Sequence, residues 1–241
     1  MMGDGPKYPN QQLRSVSLET YFPGELRALS ALGDIQDAVR ETFPNLFVPH
    51  VQAGEAPALR PFQLRTADQT KSLAVAVNQA TYVSFAYPGH TAFAAEAVPT
   101  LATALKALRP AQLNRVVYRY ENELGLSRDA EGSLGIERIF PAIVPRVFAE
   151  GELAGQCKAV NSALEHVWQE DGLGGARGFH ARTEDAGVTT VLKITVFGSV
   201  ENCEIADLAK ATAAAHRVGV GLFEALISPE FRDFISASSK E

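Results

Sequence analysis

The sequence predicts an α+β protein, an antiparallel sheet or sheets with helices packed on one face. Segments with period-two alternation of apolar and polar residues recur along the chain, and amphipathic segments of helical period stand between them and close it. In the first half the order reads strand, helix, three strands, helix, strand, which suits an antiparallel layer covered by helices. The 241 residues, 46% hydrophobic and 21% charged, are enough to bury a sizeable core without metal or disulfide.

Residues 1–10 hold Gly3, Gly5, Pro6 and Pro9 and are expected to form an irregular leader. QLRSVSLETYF (12–22) then sets Val16, Leu18 and Phe22 against Ser15, Ser17 and Glu19, a half-buried strand that Pro23 and Gly24 end. Over 25–43, Leu26, Leu29, Leu32, Ile35, Val39 and Phe43 recur at three- and four-residue spacings, predicting one helix with a single buried stripe, weakened at Gly33. Pro44, Pro49, Gly54 and Pro57 predict a long irregular connection. PFQLRT (61–66), SLAVAVN (72–78) and ATYVSFAY (80–87) read as an antiparallel meander. A second helix follows over 90–109, with Phe93, Ala97, Leu101, Leu105 and Leu108 on its buried side; Pro99 is expected to kink or split it and Pro110 to stop it. RVVYRYENELG (115–125) returns as a long strand and closes an N-terminal half spanning 11–125.

Residues 126–160, broken by Pro141 and Pro145 and flanked by Gly132, Gly135, Gly151 and Gly155, are expected to be an irregular connection between halves. In the C-terminal half, 161–236, ALEHVWQ (163–169) reads as a strand or a helix end. After the glycine cluster DGLGGARG, the segments RGFHARTE (177–184) and TTVLKITVF (189–197) form a hairpin. A helix over 205–227 buries Leu208, Ala211, Ala215, Val218, Leu222, Phe223 and Leu226. Ser228 caps a last short helix with Pro229 at its first position and Phe231, Phe234 and Ile235 as anchors. Residues 237–241 are expected to fray. Each half contains strands plus two helices, which allows the halves to be related, although no residue-level repeat accompanies this.

The formal net charge of −6 opposes a sequence-independent grip on phosphate backbones, making nucleic acid a minority reading. No run of eighteen apolar residues and no apolar signal core occurs, so neither a membrane span nor secretion is expected, and the expected compartment is the cytoplasm. Cys157 and Cys203 stand far apart and are read as free thiols. The five histidines fall into no ligand spacing, and neither GxSxG, GxxxxGK[ST] nor a strand-to-helix GxGxxG is present. No metal and no cofactor is therefore expected.

At Arg119, Tyr120 and Asn122 the sequence resembles a sporadically distributed family of prokaryotic proteins. The resemblance extends to the opening strand YPNQQLRSVSLETYF, the late strand LKITVF, and a C-terminal helix with His216, Phe223 and the Ser228-initiated last turn. Glu123 stands where members carry a basic residue, and Lys193 to Thr195 where they carry an acidic one. The resemblance implies an accessory role such as those encoded in mobile-element or antiviral defence loci, and no particular activity.

The candidate site lies in the 115–125 strand. Extended backbone sends Arg115, Arg119, Glu121 and Glu123 to one face and Tyr120 and Asn122 to the other. The four charges are candidate binding residues, either a solvated face of cross-strand pairs or a groove floor shielded by 44–60 where Arg119 holds a carboxylate or phosphate. Tyr120 and Asn122 are read as fold-specifying, since buried polar groups must be paired. The leading reading is a non-enzymatic protein that binds a protein partner or self-associates. Two alternatives stand beside it. One is an enzyme for a small anionic or nucleotide-like substrate, with Arg115 and Arg119 as anion holders and Glu121 or Glu123 as base; the other is an RNA-binding sheet using Tyr82, Tyr118 or Tyr120.

Overall fold

The computed structural model describes residues 12–47, 61–130, 132–144, 158–186 and 189–237. The expected leader, most of the 44–60 connection, Cys157 and most of the expected frayed tail lie outside them. Nine strands form one antiparallel sheet. Five precede the first long helix: β1 (Leu13–Tyr21), β2 (Asn45–Phe47), β3 (Phe62–Arg65), β4 (Lys71–Ala76) and β5 (Gln79–Ser84). The others are β6 (Leu113–Leu126), β7 (Asn161–Glu170), β8 (Leu173–Ala186) and β9 (Thr189–Cys203). Their spatial order is β2-β3-β4-β5-β1-β6-β9-β8-β7. The fold is thus α+β, and both halves share the sheet. β1 pairs with β5, the last strand of the meander that follows it, β6 pairs with β9 in the same way, and the two sets of strands meet along β1 and β6.

Helices α1 (Arg27–Ser30), α2 (Leu32–Val39), α3 (His90–Leu108), α4 (Ile136–Ile139), α5 (Leu208–Leu226) and α6 (Pro229–Ser236) pack on one face. Alternation decides that face. Leu18, Tyr82, Leu73 and Tyr118 stand opposite one another across β1, β5, β4 and β6, and all are buried under α2, α3 and α5. Further along, Leu124, Phe179, Ile194 and Val196 meet Ile136, Phe140, Leu226 and Ile235 in a second cluster. The other face carries no helix among the described residues.

Several expectations change. The helix expected over 25–43 is two short helices joined at Ala31, and Leu26 and Leu29 are 82% and 46% exposed, because the stripe continues only from Ala28 through Ile35 and Val39. Residues 45–47 pair with β3 as an edge strand, so the connection is not wholly irregular. Helix α3 runs through Pro99 unbroken: Pro99 and Ala95 lie on its exposed side, where the carbonyl deprived of its amide faces water, while Phe93, Ala97, Leu101 and Leu105 hold both turns to the core. The connection 126–160 contributes Leu134, Ile136, Phe140 and Ile143 to the second cluster rather than acting as a bare spacer. Ser228 caps α6 as expected, its hydroxyl accepting from the Phe231 amide at 3.1 Å, but Phe234 points outward, 59% exposed.

The glycines that match no phosphate loop have a packing role. A Cβ on Gly198 would lie 2.0 Å from the Ala215 carbonyl oxygen and 2.8 Å from the Gly219 nitrogen, so α5 crosses β9 at backbone contact. One residue on, the Ser199 hydroxyl bonds both the amide and the carbonyl of Ala176, and its own carbonyl accepts from Trp168 Nε1 at 3.0 Å. Gly175 leaves the room for this, since a Cβ there would sit 2.1 Å from the Ser199 oxygen. Substitution Gly198→Ala is therefore expected to destabilise the fold by about 3 kcal/mol, lifting α5 from the sheet. Urea denaturation followed by circular dichroism checks this, with Gly221→Ala, which meets nothing within 4 Å inside the same helix, as the control that should stabilise by up to about 1 kcal/mol.

Candidate recognition surface

The helix-free face is built where β1, β6 and β9 lie side by side. Register places Ser17 opposite Arg119 and Glu19 opposite Val117 on one side of β6, and Phe197 opposite Arg119 on the other. Arg115, Arg119, Glu121 and Glu123 share this face, as the alternation of the strand dictates, but their partners come from other strands. Arg119 reaches diagonally to Glu19, Nε donating to Oε1 at 2.7 Å and Nη2 to Oε2 at 3.1 Å. The same carboxylate accepts from Ser17 Oγ at 2.8 Å and from the Tyr21 hydroxyl at 2.7 Å.

Glu19 is the buried member of this fork, its side chain 8% exposed against 30% for Arg119. Burial pushes its carboxyl up, yet the hydrogen bonds and charge of Arg119, helped by Tyr21 and Ser17, outweigh that and hold it below the ordinary 4.5. Burial and the adjoining carboxylate push the Tyr21 phenol up to about 12. Arg119 is consequently engaged in the fold by Glu19.

Glu121 and Glu123 make no buried base. Glu121 is exposed and accepts from Ser15 Oγ at 2.8 Å. Glu123 lies 4.0 Å from Arg14 and 3.9 Å from Lys193, which in turn pairs with Glu184 at 2.6 Å. These are solvated cross-strand pairs. Arg115 differs. Its guanidinium lies over the Phe197 ring, 5.5 Å from the centroid, with Arg119 at 5.8 Å. Its Nη2 comes within 4.0 Å of Glu165 Oε1, and its buried Nε has no hydrogen-bond partner among the described residues. Gly178 makes the space, because a Cβ there would touch the Phe197 ring at 2.8 Å.

On the covered face Tyr120 and Asn122 take the places their parity assigns. Asn122 is buried beside Gln12, Leu124 and Phe140. The Tyr120 hydroxyl bonds His216 Nδ1 on α5, and the Tyr118 hydroxyl contacts Tyr87 at 3.2 Å and His90 Nδ1 at 3.4 Å. The His90 and His216 rings stack at 3.7 Å and 3°. Burial raises both strand phenols well above the ordinary tyrosine value, so they remain neutral donors. Tyr82 and Tyr118 are fully buried and Tyr120 packs against the same core, which removes the aromatics that stacking RNA bases on the open sheet requires.

The far edge of the sheet completes the surface. β7, ten residues long, pairs with β8 on one side in an unbroken register from Asn161 to Glu170. The hairpin between them turns on Asp171 and Gly172 alone, both at positive φ (53° and 74°), the primed turn that suits twisted strands. A two-residue turn makes Glu170 and Leu173 a hydrogen-bonded pair. Alternation then points the N–H and C=O of Ala163, Glu165 and Val167 away from β8. Leu164 and Val167 are 54% and 76% exposed.

The chain matches no family profile and no curated protein. Among solved structures it is similar to the di-domain aromatase/cyclase BexL from the BE-7585A biosynthetic pathway, at 12% identity and a TM-score of 0.24, over 95% of this chain and 99% of that one. So remote a likeness carries no functional argument. No helix among the described residues is long and apolar enough to cross a membrane, and these residues include no metal-binding cluster of three or more His, Cys, Asp or Glu.

Glu19, Phe197 and Glu165 escape a sequence reading because each gains its role from a partner strand far along the chain, and Tyr21 because it serves Glu19. Arg119→Met is expected to cost about 3 kcal/mol in urea denaturation by leaving a buried carboxylate unpaired, and Glu19→Gln/Arg119→Met to cost less. The pH dependence follows from the two shifts. Glu19, depressed in the fold, adds stability above its ordinary 4.5 that disappears as pH falls through the lower folded value. Tyr21, raised to about 12, adds stability complete below its ordinary 10.0 and lost as pH climbs through the folded value. Thermal melts of wild type against Glu19→Gln and Tyr21→Phe should locate the acid and alkaline losses respectively.

Proposed function

We propose that the protein works by joining another polypeptide along the edge of β7 that no other described strand pairs with, as a binding or assembly protein without a reaction of its own. The supporting observation is the edge strand itself: long, unbroken in register, and carrying two exposed apolar side chains. Natural sheets blunt such edges with lysine, proline, bulges or short strands, and NSALEHVWQE contains none of these devices. An extended partner segment meets a row of outward amides and carbonyls there, as in strand addition. The neutralised open face speaks against an anionic substrate, since Arg119 is taken by Glu19 and Glu121 and Glu123 are solvated. The accessory role in a prokaryotic defence or mobile-element system rests on the sequence resemblance.

Val167→Pro tests this. Its amide points outward, so proline leaves the β8 ladder whole while removing a donor from the edge. The variant is expected to keep its far-ultraviolet spectrum and lose association roughly tenfold or more in sedimentation or pull-down against its co-purifying partner. Undiminished association in a folded Val167→Pro variant overturns the proposal.

A further inference from the structure

We propose that the chain joining β7 is a second copy of this one, related by a two-fold axis through Glu165, with Arg115 as the group that makes the pairing possible. The inference rests on the free edge of β7 being the binding surface. A two-fold axis normal to the sheet keeps the open face of one copy continuous with the open face of the other. Each residue must then face one of the same parity, and the axis must pass through a residue position. With the axis at Glu165, whose amide and carbonyl point outward, Glu165 exchanges backbone hydrogen bonds with Glu165 of the second copy. Val167 then lies opposite Ala163, a small side chain across from the most exposed apolar one on the strand.

Two carboxylates directly opposite each other are unfavourable alone. Here each arrives with a guanidinium beside it. Arg115 Nη2 is 4.0 Å from Glu165 Oε1, and its Nε, buried against Phe197, lacks an acceptor among the described residues. The pairing closes a four-charge cluster of two arginines and two glutamates over the joined strands. A foreign acidic strand would bring a carboxylate without its own guanidinium. The other charge near this edge, Glu170, is held by Arg217 at 2.9 Å and does not enter.

The experiment uses the full chain in a Cys157→Ser background, Cys203 being buried. Sedimentation is expected to find a dimer. Glu165→Cys should cross-link spontaneously under mild oxidation, since directly opposed residues lie within disulfide reach, and Val167→Cys should not. Arg115→Ala should weaken dimerisation roughly tenfold by leaving the carboxylates facing each other, and adding Glu165→Gln should recover most of that loss. A purely structural role for Arg115 predicts no recovery. Cross-linking through Val167→Cys in place of Glu165→Cys overturns the register. A monomeric wild type overturns the second copy, while partner capture blocked by Val167→Pro would leave the strand-addition reading standing.

Discussion

The pairing of β1 with β6 is the constraint on which the rest of the molecule depends. It joins the β1–β5 strands to the β6–β9 strands, and it runs through the centre of a layer nine strands wide. Backbone hydrogen bonds alone do not choose its register, because a slip by one residue would exchange faces on both strands. Two side-chain systems forbid the slip from opposite sides. On the open side, Glu19 receives Arg119, Ser17 and Tyr21, a buried carboxylate that no other register satisfies. On the covered side, Leu18 opposite Tyr118 and Val16 opposite Tyr120 feed the core that α3 and α5 close. The seam is polar on one side and aromatic on the other, and each side penalises the shift the other would tolerate.

The same seam explains why the long helices touch. Helix α3 belongs to the first half and α5 to the second, yet the ring of His90, at the start of α3, stacks on that of His216, near the middle of α5, with the strand tyrosines beneath them. The contact between Gly198 and Gly219 sets how closely α5 approaches the sheet, and so how near its histidine comes to the strand. Sheet register, glycine placement and the imidazole pair therefore form one chain of dependence. A side chain at Gly198 would be felt at His216 as well as locally.

Much of this was legible in the residues. Alternation marked SLAVAVN and TTVLKITVF as strands, which β4 and β9 are, and the parity of RVVYRYENELG divided the charged from the phenolic side. What escaped depended on distance along the chain. Glu19 and Arg119 are one hundred residues apart, and only their shared sheet makes them partners. The split of the first helix at Ala31 escaped because its period continues through the break, whereas the exposure of Leu26 reflects where the chain leaves the sheet. ALEHVWQ reads equally as a strand or a helix end, because the glycine cluster DGLGGARG that follows it hides where the turn lies. Asp171 and Gly172 by themselves are the turn, and reading them so would have extended both strands around it.

The two borders of the sheet are unequal. At one stands β2, three residues long; at the other stands β7, more than three times that length. A layer open equally at both margins can recruit copies without end, the geometry of a growing fibre. Among the described residues the short margin offers little backbone to a further chain, so the association proposed at the long one would close on itself rather than propagate.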